Sequence, residues 1–182
     1  KLLHEKGKKI TISSQEQMNR VLQELKAAQY KIGEIRTKEK RKQPAPPFTT
    51  SSLQQEAYRK LGFTPKRTMM LAQQLYEGID LGKAGTVGLI TYMRTDSVRI
   101  AETAQAEARE LIINNYGSVY YPDETRKFVS KGRTQEAHEA VRPTAVLRIP
   151  ETVKEYLSRD QLRLYRLIWE RFIASQMSSA VY

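Results

Sequence analysis

The chain has 182 residues, 40% of them hydrophobic, and it carries a formal net charge of +11. That apolar content, with 10 Tyr, 4 Phe and 1 Trp, excludes global disorder, and the absence of cysteine excludes disulfides and cysteine-ligated zinc. A charge this positive is typical of domains that bind nucleic acid, although lysine and arginine also serve solubility alone, and no apolar run reaches the roughly 18 residues of a membrane-spanning helix.

The first 47 residues are the most basic part of the chain, with 12 Lys and Arg against 5 Asp and Glu, a net charge of +7. Residues 8–12 predict a short strand. Ser13 and Glu16 form a capping box at the start of a helix. The apolar face of that helix contains Met18, Val21, Leu22, Leu25 and Ala28. Residues 30–37 alternate like a strand, and residues 38–47 are typical of a linker because they are charged and then proline-rich.

A pair of helices follows, joined by a tight turn of about three residues. The first helix begins at a Thr/Ser cap near residues 50–51 and ends at Gly62. Thr64 and Pro65 begin the second helix, which runs to about Glu77. The side chains that we expect to face inward are Leu53, Ala57, Leu61, Met69, Ala72, Leu75 and Tyr76. Such a pair resembles a helix-turn-helix, although most tight helical hairpins are packing units.

Residues 86–94 alternate as a strand does. One face of this strand contains Gly88, Ile90, Tyr92 and Arg94, and the other contains Val87, Leu89, Thr91 and Met93. Asp96 or Ser97 is a typical N-cap for the helix that we expect from about Val98 to Asn114.

The last third of the sequence contains the strongest helix. Residues 115–137 predict mostly loop, and residues 136–146 predict a helical turn that ends at Pro143. We expect the main core helix over about Ser158–Gln176. Its apolar residues are Leu162, Tyr165, Ile168, Trp169, Phe172 and Ile173. The sequence begins without methionine and ends soon after this helix, so we expect a segment of a longer chain.

Tyr92 and Arg94 are candidate functional residues because side chains two residues apart on a strand leave the same face. A phenol has a pKa of about 10, so it is a weak nucleophile at neutral pH unless its surroundings favour the phenolate. A nearby guanidinium favours the anion and offers donors that match a phosphate. The pair is therefore a candidate for phosphoryl transfer, while an ordinary strand tyrosine with a surface arginine is the alternative.

His138 and Arg142 provide a second pair of candidate groups. The imidazole of His138 can donate to a phosphate oxygen or act as an acid or base. Arg142 shares its face if this segment is helical. A packed or solvated histidine is the alternative, and two histidines without cysteine do not favour zinc. The residues alone predict a basic, largely helical module with a Tyr–Arg–His phosphate site.

Four stretches of the sequence resemble signatures of the type IA DNA topoisomerases. They are PAPPFTTSSLQQEAYRKLGF, KRTMMLAQQLYEG, GLITYMRTDS and QEAHEAVRPT, and they follow the family's order and spacing across nearly the whole chain. Met93 is similar to the bacterial topoisomerase I version of the tyrosine signature. The topoisomerase III version usually has proline at this position, and reverse gyrase usually differs there too.

The resemblance implies a role for each matching residue. Tyr92 would attack a phosphodiester in one DNA strand and become linked to its 5′-phosphate, which stores the bond energy so that rejoining needs no ATP. Arg94 would hold the scissile phosphate and help to activate Tyr92. His138 would hydrogen-bond a backbone phosphate nearby. Thr91 and Thr95 would lie close to the bound strand.

Arg142 is expected to bind DNA as well. It shares its signature with Gln135 and Glu139, for which the resemblance implies no specific role. The activity implied for the whole enzyme is relaxation of negative supercoils, in the bacterial cytoplasm and associated with the nucleoid. The expected partner is single-stranded DNA.

The fold class implied by the resemblance is mainly α with short β-strands. Residues 49–177 would form the domain that carries the active-site tyrosine, the family's domain III, with the helix-turn-helix-like pair in it. Residues 1–48 and 178–182 would belong to a β-rich hinge domain. In the family, that hinge lets the tyrosine domain lift away so that a second strand can pass.

The family's enzymes need Mg²⁺, whose acidic ligands lie with a catalytic lysine in a separate N-terminal metal-binding domain. That domain would be a partner of this segment in the full-length chain. The DxD pattern does not occur in these 182 residues, so we expect no bound metal here and no activity from the segment alone. A non-catalytic DNA-binding helical module and a helical protein–protein scaffold are the alternatives.

Overall fold

The computed structural model describes residues 4–5, 7–129 and 138–182. The chain divides into two compact units, Lys1–Lys38 and Glu39–Tyr182. Helices make up roughly half of the chain and the strands are short, which confirms the prediction of a mainly α fold. The predicted domain boundaries after residues 48 and 177 stay predictions. Across the described ranges, no helix is both long and apolar enough to cross a membrane.

The first unit contains a small hairpin and one helix. Strand β1 (His4–Glu5) pairs antiparallel with β2 (Lys8–Lys9), so the strand predicted over residues 8–12 is shorter than expected. Helix α1 spans Gln15–Ala27. Its cap is Ser14, whose hydroxyl accepts a hydrogen bond from a backbone N–H in the first turn, so the predicted cap is shifted by one residue. Val21 is the buried residue of the predicted apolar face.

The strand predicted over residues 30–37 is wrong. This segment has no strand partner among the described residues, and the side chains of Tyr30, Ile32 and Ile35 are 77%, 83% and 80% exposed. A strand needs the backbone hydrogen bonds of a neighbouring strand, which alternation along one segment does not supply. The Tyr30 hydroxyl instead donates to the carbonyl oxygen of Leu25 at 2.7 Å.

The second unit contains the other five helices of the described chain. They are α2 (Thr50–Leu61), α3 (Pro65–Glu77), α4 (Glu102–Tyr116), α5 (Pro150–Val153) and α6 (Arg159–Gln176). Thr49 and Ser52 form a capping box on α2, so the cap lies one to two residues before the position predicted near residues 50–51. Gly62 ends α2 with a left-handed φ of 72°, a conformation that favours glycine. Thr64 caps α3 and Pro65 is its first residue, as predicted.

Helix α6 is the centre of the core and confirms the prediction for residues 158–176. It packs against α2, α3, α4 and α5 and begins with a capping box between Ser158 and Gln161. The largest apolar side chains that it buries are Leu164, Tyr165, Ile168, Trp169, Phe172 and Ile173. The Trp169 indole donates to the Val146 carbonyl at 2.9 Å, so this polar atom of the core is satisfied.

The cap predicted for α4 is wrong. This helix begins at Glu102, and its N-cap is Ala101, which contributes no side-chain hydrogen bond. The Thr95 hydroxyl accepts from the Ser97 amide at 3.0 Å, and the Ser97 hydroxyl accepts from the Arg99 amide at 3.1 Å. These short-range bonds use Ser97 within its own turn, so the chain enters the helix several residues later than predicted.

Two more strand pairs complete the second unit. Strand β3 (Arg41–Lys42) pairs antiparallel with β6 (Ala180–Val181), so the two ends of this unit lie side by side. Strand β4 (Ile79–Asp80) pairs antiparallel with β5 (Thr86–Val87) and forms a hairpin directly after α3. The strand predicted over residues 86–94 is therefore confirmed only at its start.

The segment after α4 is mostly irregular, as predicted for residues 115–137. It contains a 3₁₀ turn at Ser118–Tyr120, and residues 130–137, which include Gln135, lie outside the described residues. The helical turn predicted over residues 136–146 is wrong for the described part, because Val141 and Pro143 form isolated antiparallel bridges. Their partners are Phe48 and Ile90. The pairing uses the backbone groups that a helical turn would need.

Candidate active site

The segment around Tyr92 alternates in exposure with a period of two. Tyr92, Arg94 and Asp96 are exposed, while Met93 and Thr95 between them are buried. Alternate residues of an extended backbone leave opposite faces, so Tyr92 and Arg94 share the exposed side as the sequence predicted. Tyr92 itself is 45% exposed.

The end of α3 holds this segment from one side. The Leu89 amide donates to the Leu75 carbonyl at 2.7 Å, which satisfies one of the last carbonyls of α3. Gly88 makes this approach possible, because a Cβ on Gly88 would lie 2.6 Å from the carbonyl oxygen of Tyr76. No side chain fits in that space. The extended segment and the helix end are therefore in direct backbone contact.

Residues 140–144 hold the segment from another side. The Thr91 amide donates to the Arg142 carbonyl at 2.9 Å, and the Thr144 amide donates to the Leu89 carbonyl at 3.0 Å. The Thr91 hydroxyl donates to the Ala140 carbonyl at 2.7 Å and accepts from the Arg142 amide at 3.0 Å. Thr91, predicted to lie near DNA, thus fastens the two segments together. Its contact with DNA stays a prediction.

The first turn of α2 provides the third support. The Thr50 hydroxyl lies 2.7 Å from the Met93 carbonyl, as its hydrogen-bond donor, and accepts from the Thr95 amide at 2.8 Å. The Thr50 amide donates to the Thr95 carbonyl at 2.9 Å. The backbone on both sides of Tyr92 is therefore bonded to other elements, which fixes the position from which its side chain projects.

Tyr92 lines a cavity of about 280 Å³ on the surface of the second unit. Its other lining residues are Tyr76, Thr91, Thr95, His138 and Glu139. Four residues that the sequence singled out as candidates, Tyr92, Thr91, Thr95 and His138, therefore meet at one place. They come from segments about 45 residues apart, and the bridge between Ile90 and Pro143 brings these segments together.

Tyr76 was predicted to face inward from α3, and this prediction is wrong. The side chain is 40% exposed and its ring packs edge-on against the ring of Tyr92, with centroids 5.3 Å apart and an interplanar angle of 64°. This geometry is a favourable one for two aromatic rings. Tyr76 therefore belongs to the site rather than to the core.

His138 is half-buried, and its ring makes no hydrogen bond to any described residue. Both ring nitrogens are thus available to a ligand in the cavity. Arg94 is exposed, and within the described ranges its guanidinium forms no hydrogen bond or ion pair. Arg94 does not line the cavity. It lies two residues after Tyr92, on the same exposed side of the segment.

Arg142 is committed to protein partners. Its guanidinium donates to one carboxylate oxygen of Glu139 at 2.6 and 3.0 Å and to the Pro143 carbonyl at 2.9 Å. Its side chain is 11% exposed. Because Glu139 and Tyr92 line the same cavity, this ion pair places a carboxylate with a neutralised charge in that cavity. The prediction that Arg142 binds DNA stays a prediction.

The side chains around this cavity offer few ligands for a metal ion. Among the described residues, no group of three or more His, Asp or Glu side chains is arranged to hold a metal ion. The cavity contains one carboxylate, that of Glu139, which Arg142 already occupies. These residues do not fit a Mg²⁺ site, so no chemical step is assigned to a metal on this part of the chain.

Known proteins resemble this chain along its whole length. A family model described as DNA topoisomerase matches residues 1–182. The structure of full-length topoisomerase I from Thermotoga maritima, in a monoclinic crystal form, is 42% identical, with a TM-score of 0.73 and coverage of 98% of this chain. The chain belongs to the bacterial type IA DNA topoisomerases. It spans 27% of the length of that topoisomerase I chain.

Membership of the topoisomerase family confirms the resemblance drawn from the four signatures. Three of those signatures, around Thr50, Tyr92 and His138, contact one another in this topoisomerase chain through the hydrogen bonds described above. The fourth signature covers nearly all of α3 and contributes Tyr76 from its last turn.

Two side chains of this candidate site were not predicted from the sequence. Tyr76 was assigned to the core because its spacing from Ala72 and Leu75 matches a helical apolar face. The following Gly78, with a φ of 131°, marks the end of the helix, where an aromatic side chain need not face the core. Thr50 was seen as a cap alone, and nothing local indicates that its hydroxyl bonds residues more than 40 positions away.

Proposed function

We propose that this chain carries the nucleophile with which a type IA topoisomerase cleaves and rejoins one strand of DNA. The observation that supports this most is the exposed Tyr92, held on a bonded backbone at a cavity that also contains His138. Membership of the DNA topoisomerase family supports DNA as the substrate.

The chemistry is a reversible exchange of one phosphate ester for another. The Tyr92 oxygen attacks the phosphorus, the bond from phosphorus to the 3′ oxygen breaks, and Tyr92 becomes linked to the 5′-phosphate. The phenol proton is lost to solvent or a base, and the departing 3′ oxygen gains a proton. The 3′ hydroxyl reverses the exchange, so no ATP is consumed.

Arg94 and His138 are proposed to bind the phosphate. Arg94 has its donors free of described protein partners, as a side chain that binds a phosphate needs. His138 projects into the same cavity as Tyr92 and can donate to a backbone phosphate. We propose that Thr91, Thr95 and Arg142 lie close to the bound DNA strand. Thr91 and Arg142 also shape the site through their hydrogen bonds to the protein.

The domain assignment is part of the same proposal. Residues 49–177 are proposed as the tyrosine domain, with α2 and α3 as its helix-turn-helix-like pair, and residues 1–48 and 178–182 as part of a hinge domain. Strands β3 and β6, one from each proposed hinge segment, pair with each other, which supports placing both segments in one domain. Relaxation of negative supercoils would then require the metal-binding domain and its Mg²⁺, both supplied elsewhere in a full-length enzyme of the bacterial cytoplasm.

The test is a Tyr92→Phe substitution in a full-length topoisomerase that contains this chain. We expect complete loss of the covalent DNA–protein complex, because phenylalanine lacks the oxygen that forms the ester. Trapping the complex with denaturant after incubation with Mg²⁺ and end-labelled single-stranded DNA measures this directly. A covalent complex formed by Tyr92→Phe would refute the proposal.

Tyr58→Phe is the matched control, because Tyr58 is 65% exposed on α2 and is outside the cavity. A non-catalytic DNA-binding module, which the net charge of +11 also supports, would bind DNA in a salt-dependent way without forming the complex. A protein–protein scaffold would show no salt-dependent affinity for DNA.

A further inference from the structure

We propose that Tyr76 is a positioning residue for Tyr92: its ring orients the nucleophile's ring for attack. The inference rests on the proposed function, since it assumes that the oxygen of Tyr92 reacts. Tyr76 comes from the last turn of α3, a different element from the segment that carries Tyr92.

Among the described residues, the ring of Tyr76 makes the one directional contact of the Tyr92 side chain. The two centroids lie 5.3 Å apart at 64°, so the edge of one ring meets the face of the other. The Tyr92 hydroxyl forms no hydrogen bond to a described residue, and no described cation lies over its ring. Its orientation therefore depends on Tyr76 and not on a polar partner.

The backbones beneath the two rings are held against each other. The Leu89 amide is bonded to the carbonyl of Leu75, one residue before Tyr76, and Gly88 lies against the carbonyl of Tyr76 itself. The separation of the two Cα positions is thus set by backbone contacts that are independent of the rings. A change at the Tyr76 ring should alter the orientation of Tyr92 without moving its backbone.

An orienting neighbour has a clear consequence for the chemistry. A tyrosine that is 45% exposed has open space around it and can occupy several staggered rotamers. In-line attack on phosphorus requires one orientation of the phenol oxygen. By lowering the number of rotamers that Tyr92 visits, Tyr76 raises the fraction of molecules that are ready to react.

The same contact explains why Tyr76 is exposed although its position matches the apolar face of α3. Its ring lines the cavity together with Thr91, Thr95 and His138. A buried ring would add core packing, but it would leave the Tyr92 ring without a neighbour. The position of the ring is therefore better accounted for by the site than by the core.

The experiment compares Tyr76→Ala with Tyr76→Phe in a full-length topoisomerase that contains this chain. Single-turnover cleavage of a labelled single-stranded DNA should slow by about 3- to 10-fold for Tyr76→Ala, the range expected from one aromatic pair. The Kd for the same DNA, measured without Mg²⁺, should stay within about twofold of wild type. Tyr76→Phe keeps the ring and should recover at least about half of the wild-type rate.

Tyr58→Ala is the matched control, since it removes an exposed helix tyrosine that is not in the cavity. An unchanged cleavage rate for Tyr76→Ala would overturn the inference, as would an equal loss for Tyr76→Phe, which would point to the hydroxyl. A loss that appears in the Kd alone would overturn it too, because Tyr76 would then contact DNA. Tyr76→Leu replaces Tyr76→Ala if the alanine variant melts at a lower temperature.

A second readout does not need activity. In the 182-residue chain with labelled tyrosine, the ring protons of Tyr92 should lose their ring-current shift in Tyr76→Ala and keep it in Tyr76→Phe. An unchanged Tyr92 spectrum in Tyr76→Ala would contradict the contact. Tyr92→Phe separates the two proposals. If Tyr92→Phe still forms a covalent complex, the proposed function is wrong. If Tyr92→Phe is inactive but Tyr76→Ala cleaves at the wild-type rate, this inference alone is wrong.

Discussion

At the scale of single residues, hydrogen-bond partners divide the candidate side chains into two groups. The side chains of Thr91 and Arg142 are hydrogen-bonded to other protein groups. Those of Arg94 and His138 have no hydrogen-bond partner among the described residues. A side chain with satisfied partners holds the site together, and one without them can bind a ligand at little cost. Motif matching alone does not make this distinction.

Arg94 should be functional and not structural. In a full-length enzyme, Arg94→Ala should slow DNA cleavage by about 100- to 1000-fold, as loss of one charge-stabilising donor does. The free energy of unfolding should change by less than about 0.5 kcal/mol, because the side chain is exposed and has no described partner. Cleavage kinetics and thermal melting measure the two effects.

Arg59→Ala is the control, since it removes an equal charge from the exposed end of α2. Parallel losses of stability and activity in Arg94→Ala would instead indicate a structural arginine.

Gly88 should be irreplaceable on steric grounds. Gly88→Ala places a methyl group 2.6 Å from the Tyr76 carbonyl oxygen, so the backbone must move. We expect a loss of about 1–3 kcal/mol in the free energy of unfolding, measured with denaturant. Gly33→Ala is the matched control, because a Cβ there meets no atom within 4 Å. Equal stability of the two variants would contradict the close approach.

At the scale of elements, local signals predicted α2, α3 and α6 well, whereas the start of α4 was placed too early. The cap at Thr64, the proline at the start of α3, the left-handed Gly62 and the start of α6 near Ser158 all lie where the sequence indicated. These features depend on residues within one turn, so they can be recognised without the rest of the fold. The strand predicted over residues 30–37 failed because pairing depends on a distant partner.

Helix α6 should become less stable at alkaline pH because of Tyr165. Burial raises the pKa of its hydroxyl above the usual value of about 10, and the charge of Arg148 lowers that pKa to a smaller extent. The raised pKa means that the stabilisation is complete below about pH 10 and is lost above it, where the unfolded chain ionises first. The loss approaches about 1.4 kcal/mol per pH unit.

Tyr165→Phe should remove that pH dependence. At neutral pH it should cost about 1 kcal/mol, since the hydroxyl no longer donates to the Arg148 carbonyl at 2.6 Å. Denaturant unfolding of both proteins between about pH 8 and pH 11 should show that the wild type's advantage in free energy of unfolding shrinks and then reverses. Parallel curves would show that Tyr165 ionises equally well in the folded state.

At the scale of the whole molecule, we expect the site to need residues beyond these 182. The chain spans 27% of the topoisomerase I chain from Thermotoga maritima, and its described residues offer no metal-binding cluster. We expect the isolated chain to leave negatively supercoiled plasmid unrelaxed in the presence of Mg²⁺. Agarose gel electrophoresis, with a full-length topoisomerase as the positive control, measures this, and relaxation by the chain alone would contradict it.

The amino-acid sequence alone is enough to predict the family, the helices with clear end signals and the alternation that exposes Tyr92 with Arg94. These follow from short-range steric and hydrogen-bonding preferences and from linear motifs. The folded chain is needed to see which segments support that stretch, which candidate side chains already have protein partners, and that Tyr76 lies against Tyr92. Some of these contacts join residues more than 50 positions apart, and no local preference encodes their partner.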